Sequence, residues 1–257
     1  MLFLVIIKYD ILMQPFSVIV PLIPAHDKNF RKLLKYLNRN QGKIKEIIVC
    51  RSETPDYLRF FVSLKFKLMV YFMNVQPNLI LLTVPQVSYD GTNRNRGIKI
   101  ASGEYIAFMD ADDVYVESRF SVLENIFNET NCDVILHSFN SKDVSLNDSK
   151  DLESSVFYEL SFPQNRLSSD VNTTLTIKST SDAPKIHHAH ITMKSKSIDR
   201  NFLDIFPGAD SEYCKYLVKS GKKVIYTNQM LSTWNRKRSF RYLFRLIKRR
   251  FLTLGVK

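Results

Sequence analysis

The run Phe16-Ser-Val-Ile-Val-Pro21 constrains the fold more than any other stretch. It is apolar and β-branched without alternation, as expected of a strand covered on both faces in a parallel sheet. The next segments keep the matching rhythm. Phe30, Leu33, Leu34 and Leu37 recur at helical spacing, with Asp27 placed to cap and Gly42 closing the unit. Ile44-Lys-Glu-Ile-Ile-Val-Cys50 is a second strand, so the chain opens on a βαβ unit. Further on, residues 58–73 are expected to be helical and 79–84 to form a third strand between Pro77 and Pro85. A helix is expected over 92–101, closed by Ser102-Gly103, then a strand over 104–109, a helix over 118–130 and a strand over 133–137.

After Asn140 the organisation changes. Residues 141–155 are rich in Ser, Asp, Asn and Lys and read as a surface excursion. Short extended runs follow, such as Thr174-Leu-Thr-Ile177 and His190-Ile-Thr-Met193. A helix is expected over 210–220 with Gly221 just past its end, then a strand at Lys223-Val-Ile-Tyr226. The most apolar internal stretch, 66–84, is broken by Lys67, Asn74, Gln76 and Pro77, so it reads as buried core and not as a membrane span. The apolar start, residues 1–7, is too short to span a bilayer and lacks the basic opening of a signal peptide. Residues 1–13 are therefore expected to be a short extension, and the chain to be cytoplasmic.

The net charge of +12 is concentrated at one end. Residues 236–257 carry nine Lys or Arg and no acid, leaving +3 on the body. In that segment Phe240, Leu243, Phe244, Ile247 and Phe251 share one helical face, which predicts a C-terminal basic amphipathic helix. Its readings are a peripheral contact with an anionic membrane through 236–252, docking on the domain, or nucleic-acid binding; the helical spacing of its aromatics argues against the last. Cys50, Cys132 and Cys214 form no CxxC pair, which excludes a zinc knuckle or disulfide framework. The sequons at Asn128, Asn147 and Asn172 matter only in a secreted chain.

Chemistry concentrates at Asp110-Ala-Asp-Asp113, directly after the 104–109 strand. Open α/β sheets bind ligands beyond the carboxyl ends of their strands. Alternate carboxylates there can share one hard divalent cation, which fills its remaining positions with phosphate and water. The competing reading is that Asp112 or Asp113 merely caps the next turn, but three adjacent carboxylates repel one another unless a cation or donors compensate.

The stretch from Asn95 through Ala101-Ser-Gly-Glu-Tyr105 to Asp113 resembles the core signature of family 2 glycosyltransferases of the GT-A fold, and Ser17-Val-Ile-Val-Pro21 resembles that family's first strand. The resemblance implies a Rossmann-like three-layer α/β/α sandwich with a mostly parallel central sheet over 14–235, its nucleotide-sugar half at 14–137 and acceptor half at 138–235. It implies metal-dependent transfer of a sugar from a nucleoside-diphosphate donor, UDP by default, to a hydroxyl on a glycan, lipid-linked or protein acceptor. Asp112 is then the main ligand of Mn²⁺ or Mg²⁺, with Asp110 toward ribose or sugar and Asp113 in support. Pro21, Glu53, Arg94, Asn95, Arg96, Asp110, Ala111 and Asp112 are the implied nucleotide-sugar residues.

Gly208-Ala-Asp-Ser-Glu212 resembles the family's late acidic motif, whose second acid is the base of an inverting transfer. That position is Asp210, with an N-cap as its competing role and Glu212 as fallback; Ala209 departs from the pattern. Trp234 lies where family members carry an aromatic lid, with core packing as the alternative. His190 is an acceptor-side candidate, with His187 and His188 beside it, against satisfied or solvent-facing histidines.

Two departures bear on the donor. The acids expected after the second strand are replaced by Cys50-Arg-Ser-Glu-Thr54, and the first loop is Leu22-Ile-Pro-Ala-His-Asp27. The lost acids motivate an alternative, a catalytically degenerate GT-A binding module. A nucleotidyltransferase ranks lower, because the first loop has no Gly to cradle a triphosphate.

Overall fold

The computed structural model describes residues 14–140, 157–161, 174–176, 191–205 and 208–233. The continuous run becomes β1 (Phe16–Leu22), buried at every position. It is followed by α1 (Asp27–Arg39), β2 (Ile44–Arg51), α2 (Arg59–Phe72), β3 (Asn78–Thr83), α3 (Asp90–Ile98) and β4 (Tyr105–Phe108). Then come β5 (Val114–Tyr115), α4 (Arg119–Thr130), β6 (Val134–Asn140), β7 (Phe157–Ser161), β8 (Thr174–Thr176), β9 (Ile191–Lys194), α5 (Ala209–Lys219) and β10 (Val224–Thr233).

One sheet runs in the order β3-β2-β1-β4-β9-β6-β10-β7-β8, with β5 on β10. The block β3-β2-β1-β4 is wholly parallel. β9 lies antiparallel between β4 and β6, while β6 and β10 pair in parallel. β1 is the switch point. The chain steps outward from it through β2 to β3, then returns to its other side with β4. Such a reversal opens a crevice at the carboxyl ends of the two strands.

The strand period of two sends alternate residues into two cores. Phe16, Val18 and Val20 of β1, Val49 of β2 and Ala107 of β4 join Phe30 and Leu34 of α1, Phe66 of α2 and Phe120 of α4. On the opposite face Ile19, Ile48, Ile106 and Phe108 pack with Tyr213 and Leu217 of α5. Both faces are thus covered, giving the three α/β/α layers expected from the unalternating runs.

Polar residues lock α3 onto this frame. The buried Glu46 carboxylate accepts from Ser17 Oγ at 2.6 Å and from the Ser102 amide at 2.6 Å. Ser17 Oγ in turn accepts from the Gly103 amide at 2.7 Å. Gly97 lies so close to β1 that a Cβ there would meet Ile19 Cγ2 at 2.6 Å.

Two expectations are corrected. Asp27 does not cap α1: it is the first helical residue, and the cap position, His26, makes no side-chain cap hydrogen bond. The Asp27 carboxylate instead takes Lys65 Nζ at 2.7 Å and Arg51 Nε at 3.4 Å. The stretch 66–84 is not buried core throughout. In α2 only Phe66 is buried, and the β3 residues are half-buried or exposed. The cause is position, since among the described residues β3 ends the sheet and no layer lies outside α2. No helix among the described residues is long and apolar enough to cross a membrane. Residues 1–13, the three histidines at 187, 188 and 190, Trp234 and the segment 236–257 lie outside the described residues.

Candidate active site

β4 delivers Asp110 to the crevice beside β1. The turn that follows is held by Tyr115, whose hydroxyl accepts from the Asp110 amide at 2.7 Å and donates to the Asp110 carbonyl at 3.2 Å. The Tyr115 ring is buried against the Arg119 guanidinium, 4.8 Å from the ring centre. Burial raises its phenol well above the ordinary range, so the hydroxyl stays protonated and keeps both bonds. Ala111 is buried in the core beneath the turn, and Asp113 is buried at its far side.

The carboxylates of the cluster have separate surroundings. Asp110 Oδ1 accepts from Arg94 at 2.6 Å, and that guanidinium is almost wholly buried, beside the Phe202 ring. Asp112 is about a third exposed and faces His26 Nδ1 at 3.9 Å. Burial and the negative charges of Asp110 and Asp90 raise the Asp112 carboxyl above its usual range, against a smaller opposing pull from His26. Asp112 is therefore a carboxylate that gains from a nearby cation. Asp110 already has one.

The flanks come from three other segments. Asn95 is a brace: its amide donates to the Phe202 carbonyl at 2.8 Å and its oxygen accepts from the Phe202 amide at 2.8 Å. Arg96 donates to Ser88 Oγ at 3.0 Å and Asn93 Oδ1 at 2.8 Å. Arg94 and Arg96 are thus engaged side chains, not members of a solvated helix face. After β2, the buried Arg51 guanidinium donates to Asp27 and to Thr54 Oγ1, and Glu53 sits in a left-handed backbone conformation with φ 55°. Pro21 is buried within β1.

Asp210 occupies the first turn of α5 and is half-buried. Its neighbour Ala209 packs against α3, where a Cβ on Gly91 would meet Ala209 Cβ at 3.5 Å and the Leu203 carbonyl at 2.6 Å. Only a glycine at 91 lets the 202–203 backbone close on the start of α3 beside Asp90, while Ala209 makes an ordinary contact there. Glu212 points to solvent, where Lys215 Nζ at 2.7 Å holds its carboxyl below the usual range. Among the described residues no three His, Cys, Asp or Glu side chains converge to hold an ion by themselves.

The architecture matches known proteins. The model of Glycosyl transferase family 2 matches residues 17–199. The chain belongs to that family. Among its relatives, the poly(ribitol-phosphate) β-N-acetylglucosaminyltransferase TarP of Staphylococcus aureus (strain N315) is 29% identical over 129 residues, covering 49% of this chain and 37% of that protein. The chain spans about a third of the length of the curated relatives it matches, 32% and 37%. Solved structures of similar fold include S. aureus TarS 1–349 in complex with UDP-GlcNAc, with TM-score 0.60, 16% identity and coverage of 87% of this chain and 59% of that one. Another is the mannosyltransferase PcManGT of Pyrobaculum calidifontis in complex with GDP-Man and Mn²⁺, with TM-score 0.60, 12% identity and coverage of 91% and 60%.

Sequence reasoning missed His26, Asp90 and Tyr115. His26 stood in a loop noted only as a departure from the family, and Asp90 lies just outside the stretch that carries the resemblance. Tyr115 follows directly on the acidic cluster, and nothing in its spacing marks a hydroxyl turned back onto Asp110.

Proposed function

We propose that this chain transfers a sugar from a nucleoside-diphosphate donor to an acceptor hydroxyl, with a Mn²⁺ or Mg²⁺ ion held at Asp112. The observation that carries the reading is the Asp112 carboxylate itself. It stands at the β1–β4 switch point, raised by burial and by Asp110 and Asp90, and open enough to reach a ligand. An ion of this class takes one or two protein oxygens and fills its shell with phosphate and water, which suits a site that lacks a full protein cage. A bound ion supplies positive charge against the diphosphate as it leaves.

The nucleotide is assigned to the crevice, with Pro21 and Glu53 on the β2 side and Arg94, Arg96 and Asp110 on the α3 side. Arg94 holds Asp110 oriented toward the ribose or sugar. Asp210 takes the proton of the acceptor hydroxyl as that oxygen attacks the anomeric carbon, and the bond to the diphosphate oxygen breaks on the opposite face. This gives inversion. A UDP-sugar is the default donor, consistent with the TarS complex, and the acceptor is a glycan, a lipid-linked sugar or a protein.

The test is a thermal-shift screen of UDP- and GDP-sugars with and without Mn²⁺, on wild type and Asp112→Ala. The expected result is a donor-specific stabilisation that needs Mn²⁺ and disappears in the variant. Full stabilisation by the donor in Asp112→Ala would remove the metal assignment. A second reading rests on Arg51, which occupies the place of the family's base-contacting acids: a binding module that holds nucleotide without turnover. Donor hydrolysis by wild type, lost in Asp210→Asn with binding retained, separates the two.

A further inference from the structure

We infer that the outer face of α2 is a docking surface for an anionic lipid membrane. Phe60, Phe61, Leu64, Leu68, Tyr71 and Phe72 are 43–78% exposed. At helical spacing they fall within about 120° of arc, with Lys67 and Lys65 about 20° beyond its two edges. The opposite side of the helix is already used, since Phe66 is buried and Val62, Met69 and Met73 pack on the core. A folded domain rarely leaves a contiguous aromatic patch of this kind to water.

Three features select a lipid surface as its occupant. First, the stripe is largely aromatic and edged by the exposed Lys67, so rings can enter the acyl boundary while that ammonium reaches back to headgroups. Second, α2 contains no acid, and although Arg59 pairs with Asp56 at 2.8 Å and Lys65 with Asp27 at 2.7 Å, the exposed Lys67 at the stripe's edge is left to attract anionic headgroups. Third, charge disfavours both a second copy and the basic C-terminal segment as its cover. A second copy would bring lysine-edged stripes together, and residues 236–257 carry nine basic residues and no acid. The face also lies by the active-site edge. The turn leading into α2 follows the carboxyl end of β2, and Lys65 pairs with Asp27 at 2.7 Å, next to His26. The inference does not depend on the metal or the donor.

The experiment is co-sedimentation of the full chain with phosphatidylcholine vesicles, with and without phosphatidylglycerol. Wild type is compared with the quadruple variant F60S/F61S/Y71S/F72S and with Lys67→Glu, all sharing residues 236–257. Partitioning onto anionic vesicles should fall by about tenfold or more in the quadruple variant and by several-fold in Lys67→Glu, and should weaken with salt. A second readout is local: Tyr71→Trp in a Trp234→Phe background carries a single indole, whose emission should shift to the blue on anionic vesicles. Equal partitioning of wild type and quadruple variant overturns the inference, as does an unshifted emission spectrum from that indole. A wild-type dimer that the quadruple variant makes monomeric, with vesicle binding unchanged, overturns it in favour of a second copy.

Discussion

At Asp112 the chain places a negative charge where burial, Asp110 and Asp90 all oppose it. The sign of the linkage follows. A carboxyl raised above its unfolded value stabilises the fold at acid pH, and that contribution is lost as pH rises through the raised value. Asp112→Asn keeps the shape and removes the charge, so it should stabilise the metal-free protein at neutral pH and have little effect near pH 4. The side chain is about a third exposed, so solvent screens much of the effect and the expected gain in Tm is about 1–2 °C. The same variant should lose Mn²⁺-dependent donor binding. A lower Tm at neutral pH would show that the charge is not a burden on the fold. Tyr115→Phe is expected to act in the opposite direction. It strips the Asp110 amide of its acceptor, which costs about 1–3 kcal/mol when the amide is buried. At roughly 3 °C per kcal/mol for a domain of this size, the fall in Tm is readily measured. An unchanged Tm would mean that water replaces the hydroxyl and that the turn is held by other contacts.

Among the elements, the stretch from Asn95 to Asp113 divides into scaffold and site. Asn95 braces the Phe202 backbone, Gly97 admits Ile19, and Ser102 and Gly103 bind the Ser17–Glu46 pair. Within it only Asp110 and Asp112 serve the crevice, with Arg94 just ahead of the stretch holding Asp110. The sandwich was legible because β1, β2 and β4 are apolar on both faces, a pattern that only a doubly covered sheet satisfies. The acidic edge was legible because it abuts a strand. His26 and Asp90 were not, since two separate loops bring them to Asp112 and only the strand order makes those loops neighbours. The exposure of α2 was hidden for a different reason: hydropathy records that a helix is apolar all round but not that the sheet ends beside it. The scaffold role of Gly97 can be tested by coupling. Gly97→Ala should cost about 1–3 kcal/mol by overpacking. Ile19→Ala opens a cavity and carries its own cost, but the double variant should be more stable than the two costs added together. Strict additivity, measured by urea denaturation, would mean that α3 shifts away from β1 without needing the room.

For the whole molecule, the interior is set against acid. His137 is fully buried in β6, with Nδ1 2.8 Å from the Ser138 carbonyl, so that nitrogen carries the proton of a neutral ring. Burial, reinforced by the nearby Arg119 charge, pushes its pKa well below the ordinary value. In the unfolded chain the same ring titrates near 6.5. The unfolded state therefore binds more protons below that pH, and stability falls as pH drops from about 6.5 toward the depressed value. With the folded ring still neutral at pH 5.5, the loss between pH 7.5 and 5.5 attributable to this one group is about 1.4 kcal/mol. His137→Gln keeps a hydrogen-bonding side chain of similar reach and has no proton to gain. Its overall stability is expected to be lower, but its pH slope in urea denaturation should be flatter by about that amount. Parallel slopes for the two proteins would place the acid sensitivity elsewhere in the fold. The comparison separates His137 from Asp112, whose raised carboxyl acts in the opposite direction and is present in both proteins.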